Sequence, residues 1–172
     1  MSISFPLASA GDLFLNMGDL VFRDLGRAAA APRRLHTVLG SCVSVVLWQP
    51  ERRLVGMCHA VLPSSRIGSG ASFDGRYCDQ ALGFLCREIE RAGAAPAQFR
   101  TYLVGGGRMY LPQRDGPAVG ERNVEAMRLL LRKAGFQRVI EHVGLEVHRK
   151  LEIELATGAV HVVFGKSRLR LG

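Results

Sequence analysis

The chain has 172 residues, 48% of them hydrophobic, with 20 Gly, 7 Pro and a formal net charge of +8. That length supports one domain with a sizeable core, and the composition excludes disordered and fibrous classes; no apolar run approaches the roughly 20 residues that a membrane helix needs. The positive charge is dispersed, from Arg33-Arg34 to the tail Lys166-Ser167-Arg168-Leu169-Arg170. No nucleic-acid-binding motif accompanies it, so it predicts steering toward an acidic partner surface and no nucleic-acid partner.

The start, Met1-Ser2-Ile3-Ser4-Phe5-Pro6, lacks a basic n-region, and Asp12 interrupts the apolar stretch that follows. No secretory signal is therefore expected. Four cysteines (Cys42, Cys58, Cys78, Cys86) form no CxxC pair, which fits reduced thiols in a cytoplasmic protein. A short strand is predicted near Leu20-Val21-Phe22. Residues 28–34 read as a loop, because Pro32 disfavours helix before it. His36-Thr37-Val38-Leu39 leads into a Gly40-Ser41 turn. Val43–Trp48 and Leu54–His59 then read as two strands joined by a short turn, an antiparallel hairpin.

Residues 63–75 are rich in Ser and Gly and predict a loop. A helix is expected over about 76–91, with Tyr77, Ala81, Leu85 and Ile89 recurring every four residues and Gly93 as its stop. Phe99–Val104 reads as a strand ending in Gly105-Gly106-Gly107. The triple glycine lacks the following Gly-Lys-Ser/Thr of a phosphate loop, so a tight turn with close backbone approach is expected. A second helix is predicted over Val119–Ala134, a strand over Gln137–Val143, and a hairpin of Val147–Leu155 with Ala159–Phe164. The predicted fold is a single-domain α/β sandwich over 1–172, a mixed and mostly antiparallel sheet carrying two main helices. Its core spans about 14–165, and 1–12 and 166–172 are expected as flexible tails.

Two positions carry chemistry. Cys42 starts the first strand of the hairpin and His59 ends the second, so the hairpin brings them toward one open end. A thiol with a pKa of roughly 8.5 is only a few per cent thiolate at neutral pH, and a histidine neighbour is the usual means of activating it. Strand alternation sends Cys58 to the face opposite His59, which makes Cys58 packing. A zinc site from Cys42, Cys58 and His59 is the weaker alternative, since metal sites use closely spaced ligand pairs. Cys78 and Cys86 read as structural thiols, and the other histidines as ordinary surface or core residues.

With Leu39-Gly40-Ser41-Cys42-Val43, Gly56-Met57-Cys58-His59, Leu62-Pro63, the Gly105-Gly106-Gly107-x-Met109-Tyr110 turn, Gly120-Glu121-Arg122-Asn123-Val124 and Thr157-Gly158, the sequence resembles the CheD family of chemoreceptor glutamine deamidases. The resemblance implies a cysteine amidohydrolase that converts glutamine side chains of methyl-accepting chemotaxis receptors to glutamate. Cys42 would be the nucleophile, His59 the acid/base, and backbone N–H groups at Gly40, Ser41 and Cys42 the oxyanion donors. No metal and no other cofactor is implied. Expected partners are cytoplasmic receptor helices and a CheC-type phosphatase, with no membrane insertion and a monomeric state. The family commonly has a threonine six residues before the cysteine, where this chain has His36. Thr37 is one residue later and is the candidate third catalytic residue, although alternation turns neighbouring strand residues to opposite faces; His36 is the alternative orienting group. The family's Gly-Arg-Lys element also differs here, at Gly144-Leu145-Glu146-Val147-His148-Arg149-Lys150. A non-catalytic adaptor that binds receptors or a CheC-type protein is the alternative reading.

Overall fold

Val43–Gln49 is buried at all seven positions, whereas Arg34–Leu39 is buried only at Leu35, Thr37 and Leu39. The first pattern belongs to a strand covered on both faces and the second to a strand that covers another layer with one face. These two patterns fix the layering. The computed structural model describes residues 11–65, 73–109 and 117–172. In chain order its strands are β1 (Leu13–Phe14), β2 (Leu20–Asp24), β3 (Arg34–Leu39), β4 (Val43–Gln49), β5 (Leu54–Cys58), β6 (Arg100–Gly105), β7 (Val139–Val143), β8 (Arg149–Glu154), β9 (Val160–Phe164) and β10 (Ser167–Leu171). The helices are α1 (Cys78–Arg91) and α2 (Val119–Lys133).

The strands form two five-stranded sheets, β1-β3-β8-β9-β10 and β2-β5-β4-β6-β7. One apolar layer lies between the sheets and includes Leu35, Leu39, Val46, Trp48, Met57, Leu151 and Val160. The other lies between the second sheet and both helices and includes Val45, Leu47, Leu85, Ile89, Leu103, Met127 and Leu131. The α/β class and the two main helices are as expected. The single expected sheet is in fact two, because the one-faced strand β3 joins β8 rather than its sequence neighbour β4. Within the second sheet β4 pairs antiparallel with β5 and with β6, so the hairpin lies at its centre.

Two edges of the expected domain change. Residues 166–172 were expected as a flexible tail, yet Ser167–Leu171 pairs antiparallel with β9 and buries Leu171. The charged side chains are solvated as expected, while the backbone completes a sheet edge; Arg168 reaches the buried carboxylate of Glu152 at 2.6 Å. At the other end, residues 1–10 lie outside the described residues, but Asp12 is bound to Arg34 at 2.7 Å and the Gly11 carbonyl accepts from Arg33 at 2.9 Å. The middle of the Ser/Gly loop, residues 66–72, and Tyr110 of the glycine turn also lie outside the described residues.

Candidate active site

The β4–β5 register pairs Val46 with Met57, and an isolated bridge pairs Val43 with Ala60. The same register sets Ser44 across from His59, with Cys42 on the same face two residues back. Val46, Trp48, Val55 and Met57 belong to the layer between the sheets. Alternation therefore turns Cys42 and His59 into that layer at its open end. Cys58 points the other way, into the helix-covered core, where it is fully buried. Its sulfur accepts the Val45 N–H at 3.4 Å, and burial pushes its thiol up to about 12. Cys78 is held up by burial in the same layer, with Cys58 adding a smaller push. Cys42 and His59 thus cannot share an ion with Cys58, and among the described residues no cluster of three or more His, Cys, Asp or Glu could hold a metal.

The third member comes from the other sheet. Thr37 is fully buried, and its hydroxyl donates to the Leu15 carbonyl at 2.7 Å. The same oxygen lies 2.8 Å from His59 Nδ1. A hydroxyl that has spent its one proton on a carbonyl can only accept, so Nδ1 carries the ring proton. Nε2 is then the basic nitrogen, and among the described residues it is buried with no hydrogen-bond partner. Burial holds the His59 pKa below the usual imidazole value, opposed by the Leu15 carbonyl and Asp19. Cys42 is half-buried, and burial pushes its thiol up, opposed by its own backbone N–H.

Of the two candidates for the third position, Thr37 is the one that meets His59. Leu35, Thr37 and Leu39 share the inward face of β3, and His36 points outward, edge-on to Phe14 with ring centroids 5.2 Å apart. The signal was in the sequence: a leucine two residues on either side marks Thr37 as inward.

The Gly40-Ser41-Cys42 turn is held by its carbonyls. Gly107 N–H donates to the Gly40 carbonyl and Gly106 N–H to the Cys42 carbonyl, each at 2.8 Å. Asn123 Nδ2 donates to the Ser41 carbonyl at 3.1 Å and to the Val61 carbonyl at 2.8 Å. One buried amide on α2 thus ties the turn that carries Cys42 to the segment that follows His59. Asn123 belongs to a motif quoted above but was given no role. Its signal is a polar residue on the apolar stripe of Val124, Met127 and Leu131. The triple glycine serves close approach, as expected: Gly105 has φ +117°, and a Cβ there would lie 2.1 Å from the Cys42 carbonyl oxygen.

A cavity of about 480 Å³ opens over Cys42 and His59, walled by Gly40, Ser41, Met109 and His148. The unfamiliar late loop reaches this wall. Arg149 is fully buried and donates to His142 Nδ1 at 2.9 Å, to the Val147 carbonyl at 3.1 Å and to the Gly144 carbonyl. These bonds pin residues 144–147, the segment leading into His148.

A family model described as CheD chemotactic sensory transduction matches residues 61–163. The chain is 34% identical over 154 residues to "Probable chemoreceptor glutamine deamidase CheD 3" of Dechloromonas aromatica, covering 89% of this chain and 87% of that protein. It is 35% identical to "Probable chemoreceptor glutamine deamidase CheD" of Pseudomonas savastanoi pv. phaseolicola, over 88% of this chain and 83% of that protein. With the protein of the same name from Methanococcus maripaludis it shares 32% identity, over 83% of this chain and 91% of that protein. The solved structure of YlmD from Geobacillus stearothermophilus overlays with a TM-score of 0.47 at 17% identity, over 80% of this chain and 60% of that one, a likeness too distant to bear on the chemistry. The family match runs over more than half of the chain and the pairwise matches over most of it: this chain is a member of the CheD family.

Proposed function

We propose that this chain is a protein-glutamine deamidase that converts glutamine side chains of chemoreceptors to glutamate through Cys42, His59 and Thr37. The observation that carries the reading is the Thr37–His59 bond, which leaves a buried, unprotonated Nε2 on the sheet face that also presents Cys42. Burial disfavours both thiolate and imidazolium, so the resting pair is neutral. His59 Nε2 then takes the thiol proton as sulfur attacks the carboxamide carbon. The oxyanion forms beside the Gly40-Ser41-Cys42 turn, whose carbonyls are tied away by Gly106, Gly107 and Asn123, and its N–H groups are the donors. The imidazolium returns its proton to the departing nitrogen, and ammonia leaves behind a γ-glutamyl thioester. Water adds to the thioester, His59 taking its proton, and the C–S bond breaks to free glutamate and the Cys42 thiol. Thr37 stays hydrogen-bonded at Nδ1 throughout and stabilises the imidazolium.

The receptors' cytoplasmic segments are the substrates and the cytoplasm is the site of action. No helix among the described residues is long and apolar enough to cross a membrane, which is compatible with this placement. The enzyme acts as a monomer, and a CheC-type phosphatase is a further partner. Incubation of a receptor cytoplasmic fragment with the protein, followed by peptide mass spectrometry, is the test. Wild type should give the Gln-to-Glu mass change at discrete positions and Cys42→Ala should give none; receptor glutamines left intact by wild type would remove the reading.

A further inference from the structure

Seven large apolar side chains are exposed among the described residues, and three of them ring one opening. Phe14, Met17 and Val38 are 42%, 66% and 50% exposed, and all three line the mouth of the Cys42 cavity. Contiguous exposed apolar groups on a soluble protein mark a binding surface more often than scattered ones do. The charge around the opening is equally telling. Among the described residues that line the cavity there is no Lys, Arg, Asp or Glu, and its titratable side chains are Cys42, His59 and His148. None of the side chains that give the chain its net charge of +8 is among the described residues of this lining.

The collar is built by the strands that orient His59. On β3, alternation sends Thr37 inward to His59 and Val38 outward to the rim. Beside it, Leu15 turns inward with its carbonyl on Thr37, while Phe14 turns out to the rim. The collar's position relative to Cys42 is thus fixed by the same bonds that fix the base.

We infer that Phe14, Met17 and Val38 form a specificity collar selecting glutamine that is embedded in a polypeptide and flanked by apolar side chains. This rests on the deamidase reading and adds its substrate selectivity. A free glutamine would carry an ammonium and a carboxylate to the rim, where no described side chain of opposite charge replaces their water. Within a peptide those two groups are neutral amides. Apolar flanking residues bury against the collar, while glutamate or lysine flanks are desolvated there unpaired.

The test uses three short peptides, each with one glutamine, flanked by Ala and Leu, by Glu, or by Lys. Binding to the Cys42→Ala protein is read by fluorescence anisotropy, and turnover by wild type through ammonia release. The apolar-flanked peptide should bind about tenfold more tightly than either charged one, and free glutamine should not be hydrolysed. Phe14→Ser and Met17→Ser should each raise Kd and KM several-fold while kcat moves by less. Leu169→Ser, an exposed leucine on β10, should change neither. Iodoacetamide labelling of Cys42 at the wild-type rate in the collar variants reports an intact site. Equal affinity for all three peptides, an unchanged KM in both collar variants, or turnover of free glutamine would each overturn the collar. Apolar-selective binding without any deamidation by wild type would keep the collar and remove the deamidase reading.

Discussion

Cys42 and Cys58 sit on partner strands of one hairpin, yet they occupy different worlds. Cys42 opens toward the layer between the sheets, half-buried, on the face it shares with His59 and beneath a cavity. Cys58 is sealed between the sheet and the helices, with a backbone N–H on its sulfur and its thiol pushed far above the ordinary range. Each is the third residue of a short glycine-led stretch, Gly40-Ser41-Cys42 and Gly56-Met57-Cys58. What separates them is the layer that covers each face of the sheet. An outer sheet supplies a hydroxyl and leaves an open end, whereas the helix-covered face is packed with apolar side chains such as Leu82, Leu85 and Met127.

The largest expected departure comes from removing what the outer sheet supplies. Thr37→Val keeps the shape but deprives Nδ1 of its acceptor, and kcat for deamidation should fall about 10–100-fold. That is less than the 10²–10⁴-fold worth of a complete acid/base, because the Leu15 carbonyl remains nearby. A valine variant with wild-type kcat would show that the hydroxyl only packs. His36→Ala, on the outward face, is the paired control and should keep most of the activity.

A second contrast is in pH. Burial raises the Cys42 thiol and lowers the His59 imidazole, so the neutral pair persists as pH falls below the usual imidazole value of about 6.5. Iodoacetamide labelling of Cys42 should rise with pH to an inflection no lower than the free-thiol value of about 8.5, while Cys58 should stay unlabelled in the folded protein. Labelling of Cys42 that is already at its plateau near pH 6 would mean a resting thiolate–imidazolium pair instead.

The smallest effect lies on the sealed side. Cys58→Ala leaves a small void in the helix-covered core and should cost about 1 kcal/mol, seen as a Tm lower by about 2–4 °C with deamidation intact. Loss of activity in that variant, with the fold retained, would break the division between the two faces.

The hairpin, both helices and the glycine turn were legible because each rests on local rules: β-branched runs, a four-residue apolar recurrence, and glycine where backbone must approach backbone. That Cys42 and His59 come to one face at the open end of the hairpin was legible too, since one register follows from two strands and a short turn. Strand β10 was not, because its Arg168-Leu169-Arg170 stretch is exposed at the end of a charged segment and its pairing is a backbone matter. The choice between Thr37 and His36 stayed open because direction was counted from Cys42 along the chain. That count fails where the chain passes from one sheet to the other through the Gly40-Ser41 turn.

By itself the sequence determined where Cys42 and His59 lie in the hairpin and which family the chain resembles, since those follow from residue order within one hairpin and from motif spacing. Tertiary structure alone decided that Thr37 meets His59, that Asn123 ties the Gly40-Ser41-Cys42 turn in place, and that Phe14, Met17 and Val38 gather around one opening. Each of these joins segments far apart in the chain (Phe14 and Met17 with Val38 in the last case), and their meeting depends on how sheets and a helix assemble, which no local pattern encodes.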